Sequence, residues 1–147
     1  MSMKIQKDWI SGFVDGEGYF YVGINSNQAT ATQVQVLPEF VVVQQQRDIK
    51  VLYGLKKFFK CGYVKRNKGD RMCYVVRNLF HLNDIIIPFF EKHPLITTKK
   101  YNFLRFRWIV QSMVYRKYHL TLEGLTKIIS VKNRMNRAAN EKADTIR

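Results

Sequence analysis

The feature that most constrains the fold of this chain is a long segment near its start that is almost free of charge. Between Tyr19 and Gln46 the only charged residue is Glu39, although charged residues make up 24% of the sequence. The segment is rich in β-branched and aromatic residues, which favour strands. It therefore predicts two strands, over residues 19–28 and 33–43, joined by a short turn.

Pro38 lies inside the second predicted strand and restricts where that strand can pair. Proline has no backbone N–H group to donate to a neighbouring strand, so it is confined to edge strands or bulges. We therefore expect the second strand either to lie at an edge of the sheet or to carry a bulge at Pro38.

Apolar residues at helical spacing precede and follow these strands, and the alternation repeats along the chain. A second hairpin is predicted around Gly69, and Gly62 ends the helix before it. Pro88 predicts a kink in the third helix and Pro94 its end, whereas Thr121 is a candidate N-cap for the last helix. The predicted helices cover or centre on residues 4–15, 51–59, 82–90, 103–109 and 122–129, and the second pair of strands covers residues 63–67 and 71–78.

The order of elements is helix, two strands, helix, two strands and then helices. Antiparallel hairpins with helices between them predict an α+β fold, in which helices cover one face of a single antiparallel sheet and leave the other face open. A chain of 147 residues is of ordinary size for one domain. We place this domain at residues 1–132 and expect residues 133–147 to form a polar, loosely structured C-terminal tail.

The balance of charge points to a polyanionic partner. Lys and Arg number 25 against 11 Asp and Glu, which gives a formal net charge of +14. Clustered cations gain free energy by releasing the counterions of phosphates, so nucleic acid is favoured over a membrane, with a ribosomal-type structural protein as the plain alternative. The cysteines and histidines show no metal-binding spacing, no apolar run is long enough to span a bilayer, and the N-terminus shows neither a signal nor a transit pattern.

The first predicted helix carries a patch of very small side chains within the segment Ile10–Gly18, whose sequence is ISGFVDGEG. Gly12 and Gly16 lie four residues apart, and Ser11 adjoins them. Small side chains at this spacing let another backbone approach closely. The patch therefore predicts a tight contact between this helix and another helix.

Two acidic residues, Asp15 and Glu17, lie at the C-terminal end of the same helix. Acidic groups there oppose the helix dipole, so the placement is unfavourable unless a cation compensates it. The plain interpretation is a solvated turn, whereas a divalent metal ion would both compensate the charge and give the acids a function. We favour the metal-binding hypothesis.

The segment ISGFVDGEG resembles the LAGLIDADG signature of homing endonucleases, with Glu17 in place of the second aspartate. Three further segments resemble this family in the same order along the chain. FVVVQQQRDIKVLYGLKKFFKCGYV is similar to its strand, glutamine and amphipathic helix, IIIPFFEKHPLITTKKYNFLRF to its helix, Pro-Leu turn and basic pair, and GLTKIISVKNRMN to its C-terminal helix. The resemblance implies the LAGLIDADG homing-endonuclease fold, with an αββαββα core and a saddle-shaped antiparallel sheet.

The resemblance also implies a site-specific endonuclease that cuts double-stranded DNA. Members with one motif act as homodimers, so the chain is expected to cut a long, near-palindromic target as a homodimer and to leave cohesive ends. Mg²⁺ is the expected cofactor, with Mn²⁺ also accepted, held by Glu17 and the backbone carbonyl of Gly16. Gln44 is expected to orient the attacking water, and Lys99, or Lys100 beside it, to stabilise charge on the phosphate.

Two sets of contacts follow from the same resemblance. Motif helices of two subunits pack side by side in the family, with Asp15 bracing the contact rather than binding metal, and the expected interface residues are Ile10, Ser11, Gly12, Phe13, Asp15 and Gly16. Asn and Gln can pair with adenine, and Arg and Lys with guanine, in the major groove. Alternate strand residues are therefore expected to contact DNA, although the face that each strand presents is left open. The candidates are Tyr19, Tyr21, Asn25, Asn27, Gln28, Gln33, Gln35, Lys65, Asn67, Arg71 and Arg77.

Two other functions remain open from the sequence. A family member without cleavage activity would serve as a DNA-binding regulator, and an RNA maturase would assist intron splicing by binding structured intron RNA. The presence of the acid, the glutamine and the lysine together favours the nuclease. Homing endonucleases are commonly encoded within introns of organellar genomes, and the sequence shows no transit pattern. We therefore expect synthesis inside a chloroplast or mitochondrion, with a prokaryotic cytoplasm as the alternative.

Overall fold

The computed structural model describes the backbone of residues 5–146 and the side chains of residues 5–135. It has the predicted α+β architecture with a four-stranded antiparallel sheet. The helices are α1 (Lys7–Glu17), α2 (Ile49–Phe59), α3 (Leu79–His81), α4 (Ile87–Lys92), α5 (Lys99–Arg116) and α6 (Leu122–Ile146), and the strands are β1 (Gly18–Ser26), β2 (Val34–Gln45), β3 (Tyr63–Lys68) and β4 (Arg71–Val76). The first helix is displaced from its predicted position, since it runs to Glu17, and residue 4 lies outside the described residues.

The strands lie in the order β1-β2-β4-β3, so the two hairpins meet through β2 and β4. The expectation of an edge strand or a bulge at Pro38 was wrong for β2 as a whole, because β2 is central and its register with β1 is continuous. Pairing with β4, however, covers only Phe40–Gln45, whereas Pro38 pairs with Val22 of β1. Pro38 therefore lies where β2 has a paired strand on one side only, which is where a proline is tolerated.

The helices pack on one face of the sheet, as predicted. Phe20 and Phe40 point to this face and belong to one core together with side chains of the helices. Phe20 lies against Phe103 of α5 and Phe90 of α4, with ring centroids 5.4 Å and 5.8 Å apart. Val14 of α1 is completely buried in the same core. The aromatic contacts of Phe20 fix α4 and α5 relative to the sheet, because aromatic pairs add directional contacts to their large buried area.

The helix predicted over residues 82–90 is built from three pieces, α3, a π-helical turn at Leu82–Ile86, and α4. The N–H of Ile87 donates to the carbonyl of Leu82, which is the five-residue spacing of a π-turn. Pro88 follows at once, and its ring would clash with the carbonyl four residues earlier in a regular α-helix. The irregularity that Pro88 predicted in this helix is therefore present as a π-helical turn.

The last helix begins as predicted and continues farther than predicted. The hydroxyl of Thr121 accepts a hydrogen bond of 3.1 Å from the N–H of Gly124, which confirms Thr121 as the N-cap. Helix α6 then runs across the expected boundary between residues 132 and 133, and Met135 is still buried in the core. The side chains beyond Met135 lie outside the described residues.

Gly62, between α2 and β3, is a position where only glycine fits. Its φ is +81°, and a Cβ built there would lie 2.7 Å from the carbonyl oxygen of Val75 and 2.8 Å from the ring of Tyr74. We expect Gly62→Ala to lower the free energy of unfolding by at least about 2 kcal/mol, because both backbone strain and overlap oppose the folded state. Urea unfolding measures the loss.

Gly69 supplies a matched control for this prediction. Its φ is +56°, but no described atom lies within 4 Å of a Cβ built there. Gly69→Ala should therefore lower the free energy of unfolding by only about 1 kcal/mol, because the left-handed backbone conformation is the only feature that opposes an alanine there. Equal losses in the two variants would contradict the argument from overlap.

Candidate functional site

Three separate segments meet at the C-terminal end of α1. Helix α1 ends at Glu17, and Gly18 turns the chain directly into β1. A Cβ at Gly18 would lie 2.8 Å from Val14 Cγ1, so a glycine allows this sharp corner. Gly18 pairs with Val42 of β2, which places Gln44 two residues farther along β2 and beside the helix end. The third segment is the start of α5, which contacts α1 through Lys99.

Lys99 and Asp15 join α5 to α1 by hydrogen bonds in both directions, an arrangement that we call the Asp15–Lys99 clamp. The Nζ of Lys99 donates to the backbone carbonyls of Val14 at 3.1 Å and Asp15 at 2.9 Å. In return, the carboxylate of Asp15 accepts from the N–H of Ile96 at 2.6 Å and from the N–H and hydroxyl of Thr97. A cation thus lies at the C-terminus of one helix and an anion before the N-terminus of the next, as the helix dipoles favour.

The clamp also sets the ionisation of Asp15. Partial burial by itself would raise the pKa of Asp15, but hydrogen bonds from Thr97 and Ile96 and the charge of Lys99 together lower it below its usual value. A carboxyl group whose pKa is lower in the folded state stabilises the fold at any pH above its unfolded pKa. That contribution is lost as the pH falls through the lower, folded pKa.

We therefore expect Asp15→Asn to lower the free energy of unfolding by about 1 kcal/mol or more near neutral pH, since hydrogen bonds to a charged acceptor are lost at a partly exposed site. The difference from wild type should shrink as the pH is lowered through the acidic range, because protonation removes the same charge from the wild-type protein. Urea unfolding over a pH series measures both effects. Asp8→Asn, at an exposed acid in the first turn of α1, is the control and should change little.

Glu17 presents its carboxylate to solvent at the end of α1. In the part of the chain that the structure describes, no three His, Cys, Asp or Glu side chains lie together as a metal-binding group. The last turn of a helix does, however, leave backbone carbonyls without helical partners, here including that of Gly16. Carboxylate and carbonyl oxygens are the ligands that Mg²⁺ prefers, so the donors fit this ion, with further ligands to be supplied from outside one chain.

The structure distinguishes the two candidate lysines by position. Lys99 is partly buried against the end of α1, whereas Lys100 is exposed and its Nζ lies 5.2 Å from the ring centroid of Tyr101. Gln44 is partly buried on the helix-covered side of β2, and its amide oxygen accepts from the N–H of Gln45 at 2.9 Å. Glu17, Gln44 and Lys99 are thus brought to one end of α1, and Lys100 is not.

The predicted dimer-interface residues divide between two sides of α1. Ile10 is completely buried in the chain's own core, so it presents no surface to a partner, and its assignment to the interface was wrong. Gly12 and Gly16 are exposed, and a Cβ on either would meet no described atom within 4 Å. Phe13 is partly exposed and stacks on Trp9 at 4.7 Å, a contact that the spacing of four residues could have predicted. Ser11 and Asp15 are partly exposed on the same helix.

The open face of the sheet carries most of the residues predicted to contact DNA. Tyr19 and Tyr21 of β1 are exposed there, 42% and 50% respectively, since the alternating residues Phe20 and Val22 point into the core. Further exposed side chains on the same face are Asn25 of β1, Gln35 of β2, Lys65 of β3, Arg71 of β4 and Arg77 directly after β4.

Three predicted DNA contacts lie in the turn after β1, and a fourth lies at an irregularity within β3. Asn27, Gln28 and Gln33 belong to the turn after β1, where the side-chain oxygen of Asn27 accepts from the N–H of Ala29 at 2.9 Å. The amide nitrogen of Asn27 also donates to Gln35 at 3.1 Å, so this turn is held against β2. Asn67 lies at an irregularity in the register of β3 and β4, between Arg66 and Lys68.

The centre of the open face is not polar, which the sequence did not predict. Val41, Cys73 and Val75 are almost completely buried there and pack with Val43; we call these four residues the outer cluster. Longer side chains cover it, since Tyr19 pairs with Val41 and Lys65 with Cys73. On the open face, long polar and aromatic side chains thus cover the apolar outer cluster.

A fold of this topology with a motif of this geometry defines a class of nuclease, and comparison with known proteins agrees. The model of the LAGLIDADG endonuclease family matches residues 10–110, which include Glu17, Gln44 and Lys99. The chain belongs to the LAGLIDADG endonuclease family.

Individual relatives support this membership. A crystal structure of the homing endonuclease I-TnaI shares 46% identity and a TM-score of 0.84, over 95% of this chain and 99% of that one. The structure of I-SmaMI bound to cleaved DNA shares 29% identity and a TM-score of 0.88, over 93% of this chain and 46% of that one. Homing endonuclease I-ApeII of Aeropyrum pernix is 32% identical over 120 residues, 80% of this chain and 70% of its own length.

Longer fungal proteins also match. A probable intron-encoded endonuclease of Neurospora crassa is 33% identical over 86% of this chain but only 26% of its own length. The chain spans about a quarter of the length of this relative and of a second one from the same organism. No helix in the described part of the chain has the length and apolarity needed to cross a membrane.

Proposed function

We propose that the protein is a site-specific endonuclease that cuts double-stranded DNA as a homodimer with Mg²⁺. The observation that carries this proposal is the convergence of Glu17, Gln44 and Lys99 at the end of a helix whose glycine side is open. The relatives support it by their names, since I-TnaI and I-ApeII are homing endonucleases and I-SmaMI is bound to cleaved DNA.

The exposed side of α1 supports the proposed homodimer. No contact within the described part of the chain requires glycine at Gly12 or Gly16, because a Cβ on either would meet no atom there within 4 Å. Small residues there are explained if the backbone of a second α1 lies against them. Ser11, Phe13 and the backbone near Asp15 complete this surface, and two-fold symmetry then brings two Glu17 carboxylates together.

Two carboxylates brought together in this way would repel each other, and Mg²⁺ held by Glu17 and the carbonyl of Gly16 would relieve that repulsion. When bound, such an ion supplies positive charge at the phosphate and promotes ionisation of a water molecule; Mn²⁺, with the same preference for oxygen, should substitute. Each cut is a hydrolysis in which a hydroxide oxygen attacks phosphorus as the 3′ oxygen leaves. Cuts displaced between the two strands leave cohesive ends.

The chain's own residues act on the phosphate and the water. Lys99, held by the clamp at the end of α1, contributes positive charge that stabilises the extra negative charge of the five-coordinate phosphate. The amide of Gln44 orients the attacking water from the neighbouring strand. Asp15 keeps Lys99 in place and contacts neither water nor phosphate.

Duplex DNA would lie along the open face of the sheet. Cations there neutralise phosphates, and amides and guanidinium groups reach base edges in the major groove. The residues proposed for these contacts are Tyr19, Tyr21, Asn25, Asn27, Gln28, Gln33, Gln35, Lys65, Asn67, Arg71 and Arg77. A two-fold axis through the α1 contact would make the target near-palindromic.

In vitro selection of cleaved molecules from a randomised duplex library with Mg²⁺ tests the proposal. We expect one long, near-palindromic sequence to be cut with cohesive ends, and sedimentation to show a dimer. Duplex binding without cleavage would overturn the nuclease and favour a DNA-binding regulator. Binding of structured intron RNA in place of duplex DNA would favour a maturase.

The source compartment is part of the same proposal. Several relatives are named as intron-encoded, and one lies in an ND4 intron. We propose an intron of an organellar genome as the origin of this chain. A gene flanked by neither intron sequence nor organellar genes would contradict this origin.

A further inference from the structure

Glu39 is the only acidic residue in the four strands, all of which the structure describes. It lies on the open face near the middle of the sheet, paired with Tyr21 of β1. Because the proposed ligand of this face is a polyanion, an acid at its centre opposes binding unless it has a specific role. Its surroundings define that role.

Arg77 neutralises Glu39 and is oriented by it. The last pair between β2 and β4 is Phe40 with Val76, so Arg77 follows directly opposite Glu39. The Nε of Arg77 donates to Glu39 Oε1 at 2.6 Å, and the guanidinium carbon lies 5.9 Å from the ring centroid of Tyr63. The side chain of Glu39 is 17% exposed and that of Arg77 is 50% exposed, so the carboxylate is the more buried partner and the guanidinium is the more accessible to solvent.

The Arg77 guanidinium keeps solvent-accessible donors, since its side chain is 50% exposed. The hydrogen bond to Glu39 uses Nε, and the Nη atoms make no other hydrogen bond to the described residues. Two parallel donors match the O6 and N7 acceptors of guanine in the major groove. The outer cluster lies beside the pair, since Val41 is two residues from Glu39 and Val75 two residues from Arg77 on the same face of the sheet.

A phosphate is a poorer ligand for this pair. Glu39 cancels the charge of Arg77 and would repel a phosphate, whereas the edge of guanine is neutral and needs only correctly placed donors. Lys65 and Arg71, on the same face, have no acidic partner among the described residues and suit phosphates better.

We propose that Arg77 reads one guanine in each half of the DNA target and that Glu39 is the positioning residue that holds its guanidinium in the reading orientation. This inference rests on the proposed function, since it assumes that duplex DNA binds the open face. The proposal predicts a preference for guanine at one position of each half-site, which an ion pair with a structural role only would not create.

Selection by binding tests the pair without requiring cleavage. A randomised duplex library is bound in EDTA, the bound fraction is separated by gel shift, and the enriched sequences are read. Wild type should prefer guanine by about tenfold or more at one position of each half-site. Arg77→Lys keeps the charge but has no planar donor pair. The four bases should therefore become about equally frequent at this position, while the preferences at other positions stay unchanged.

Two variants of Glu39 separate orientation from charge. Glu39→Ala removes the acceptor and should lose the guanine preference, whereas Glu39→Gln retains an acceptor oxygen and should keep most of it. Both remove a negative charge, so both should bind unrelated duplex DNA severalfold more tightly than wild type. Loss of preference in Ala with retention in Gln is the pattern that a merely structural ion pair would not produce.

The pair of Arg107 and Glu91, 3.0 Å apart on the helix-covered side, supplies the matched control. Arg107→Lys and Glu91→Gln should leave the selected sequence unchanged. If wild type enriches no sequence at all, the proposed function fails. If wild type enriches a defined site and Arg77→Lys, folded to the same thermal midpoint, enriches the same bases, the guanine assignment is wrong while the proposed function stands.

Discussion

Replacing Glu17 with glutamine is expected to reduce the rate of DNA cleavage by roughly a thousandfold or more, while binding of the selected duplex is retained. The carboxylate is exposed at the end of α1, and glutamine preserves its size while removing its charge. Loss of charge removes the proposed anionic ligand for Mg²⁺ and leaves unaltered the strands that are proposed to contact DNA. Single-turnover cleavage and gel-shift titration on the same duplex separate the two effects.

Stability is expected to respond little to this change, because Glu17 lies outside the core. Asp8→Asn, at an exposed acid in the first turn of the same helix, is the matched control and should cleave at close to the wild-type rate. Full cleavage by Glu17→Gln would contradict the proposal that Glu17 binds the metal ion. Equal losses of cleavage and binding would instead assign it to DNA contact.

Replacing Lys99 with methionine is expected to slow cleavage by about a hundredfold to a thousandfold, the usual cost of removing one group that stabilises charge in a transition state. Methionine keeps an unbranched side chain but removes the ammonium group that lies 2.9 Å from the carbonyl of Asp15. Lys100→Met is the matched control, because Lys100 is adjacent and exposed and its Nζ lies over the ring of Tyr101. The rate for Lys100→Met should stay within a few-fold of wild type.

Lys99 also holds α1 and α5 together, so its loss could act through structure. Asp15→Asn weakens the same clamp while retaining the ammonium group, and thermal unfolding compares the two variants directly. A large rate loss in Lys99→Met beyond that in Asp15→Asn, at similar thermal midpoints, assigns the charge of Lys99 to the chemistry. Equal rate losses would assign Lys99 to positioning, and a larger effect in Lys100→Met would reverse the assignment of the two lysines.

Local sequence determined the elements and their order, because those depend on side chains near one another along the chain. The content of β-branched and aromatic residues predicted the strands that contain Phe20 and Phe40, and Thr121 was predicted as an N-cap from its position alone. The family followed from the same kind of information, since the motif Ile10–Gly18 is continuous in sequence.

Tertiary structure decided which side of each element has which role. Ile10 lies in the motif but is buried in the chain's own core, because the stripe that packs on the sheet passes through it. The face of β1 that carries Tyr19 and Tyr21 was settled only by the burial of Phe20. The spacing of side chains along a helix or strand divides the element into two sides, but it does not show which side the rest of the chain covers.

Contacts between distant residues were beyond sequence reasoning for the same physical reason. Asp15 and Thr97 are 82 positions apart, and Glu39 and Arg77 are 38 apart. No local pattern relates such residues; the strand order β1-β2-β4-β3 and the packing of α5 on the sheet bring them together. The sequence by itself determined which chemical groups the protein has and the family to which it belongs. Only the tertiary structure decided that Lys99 rather than Lys100 lies at the end of the motif helix, because that choice depends on the direction in which the first turn of α5 faces α1.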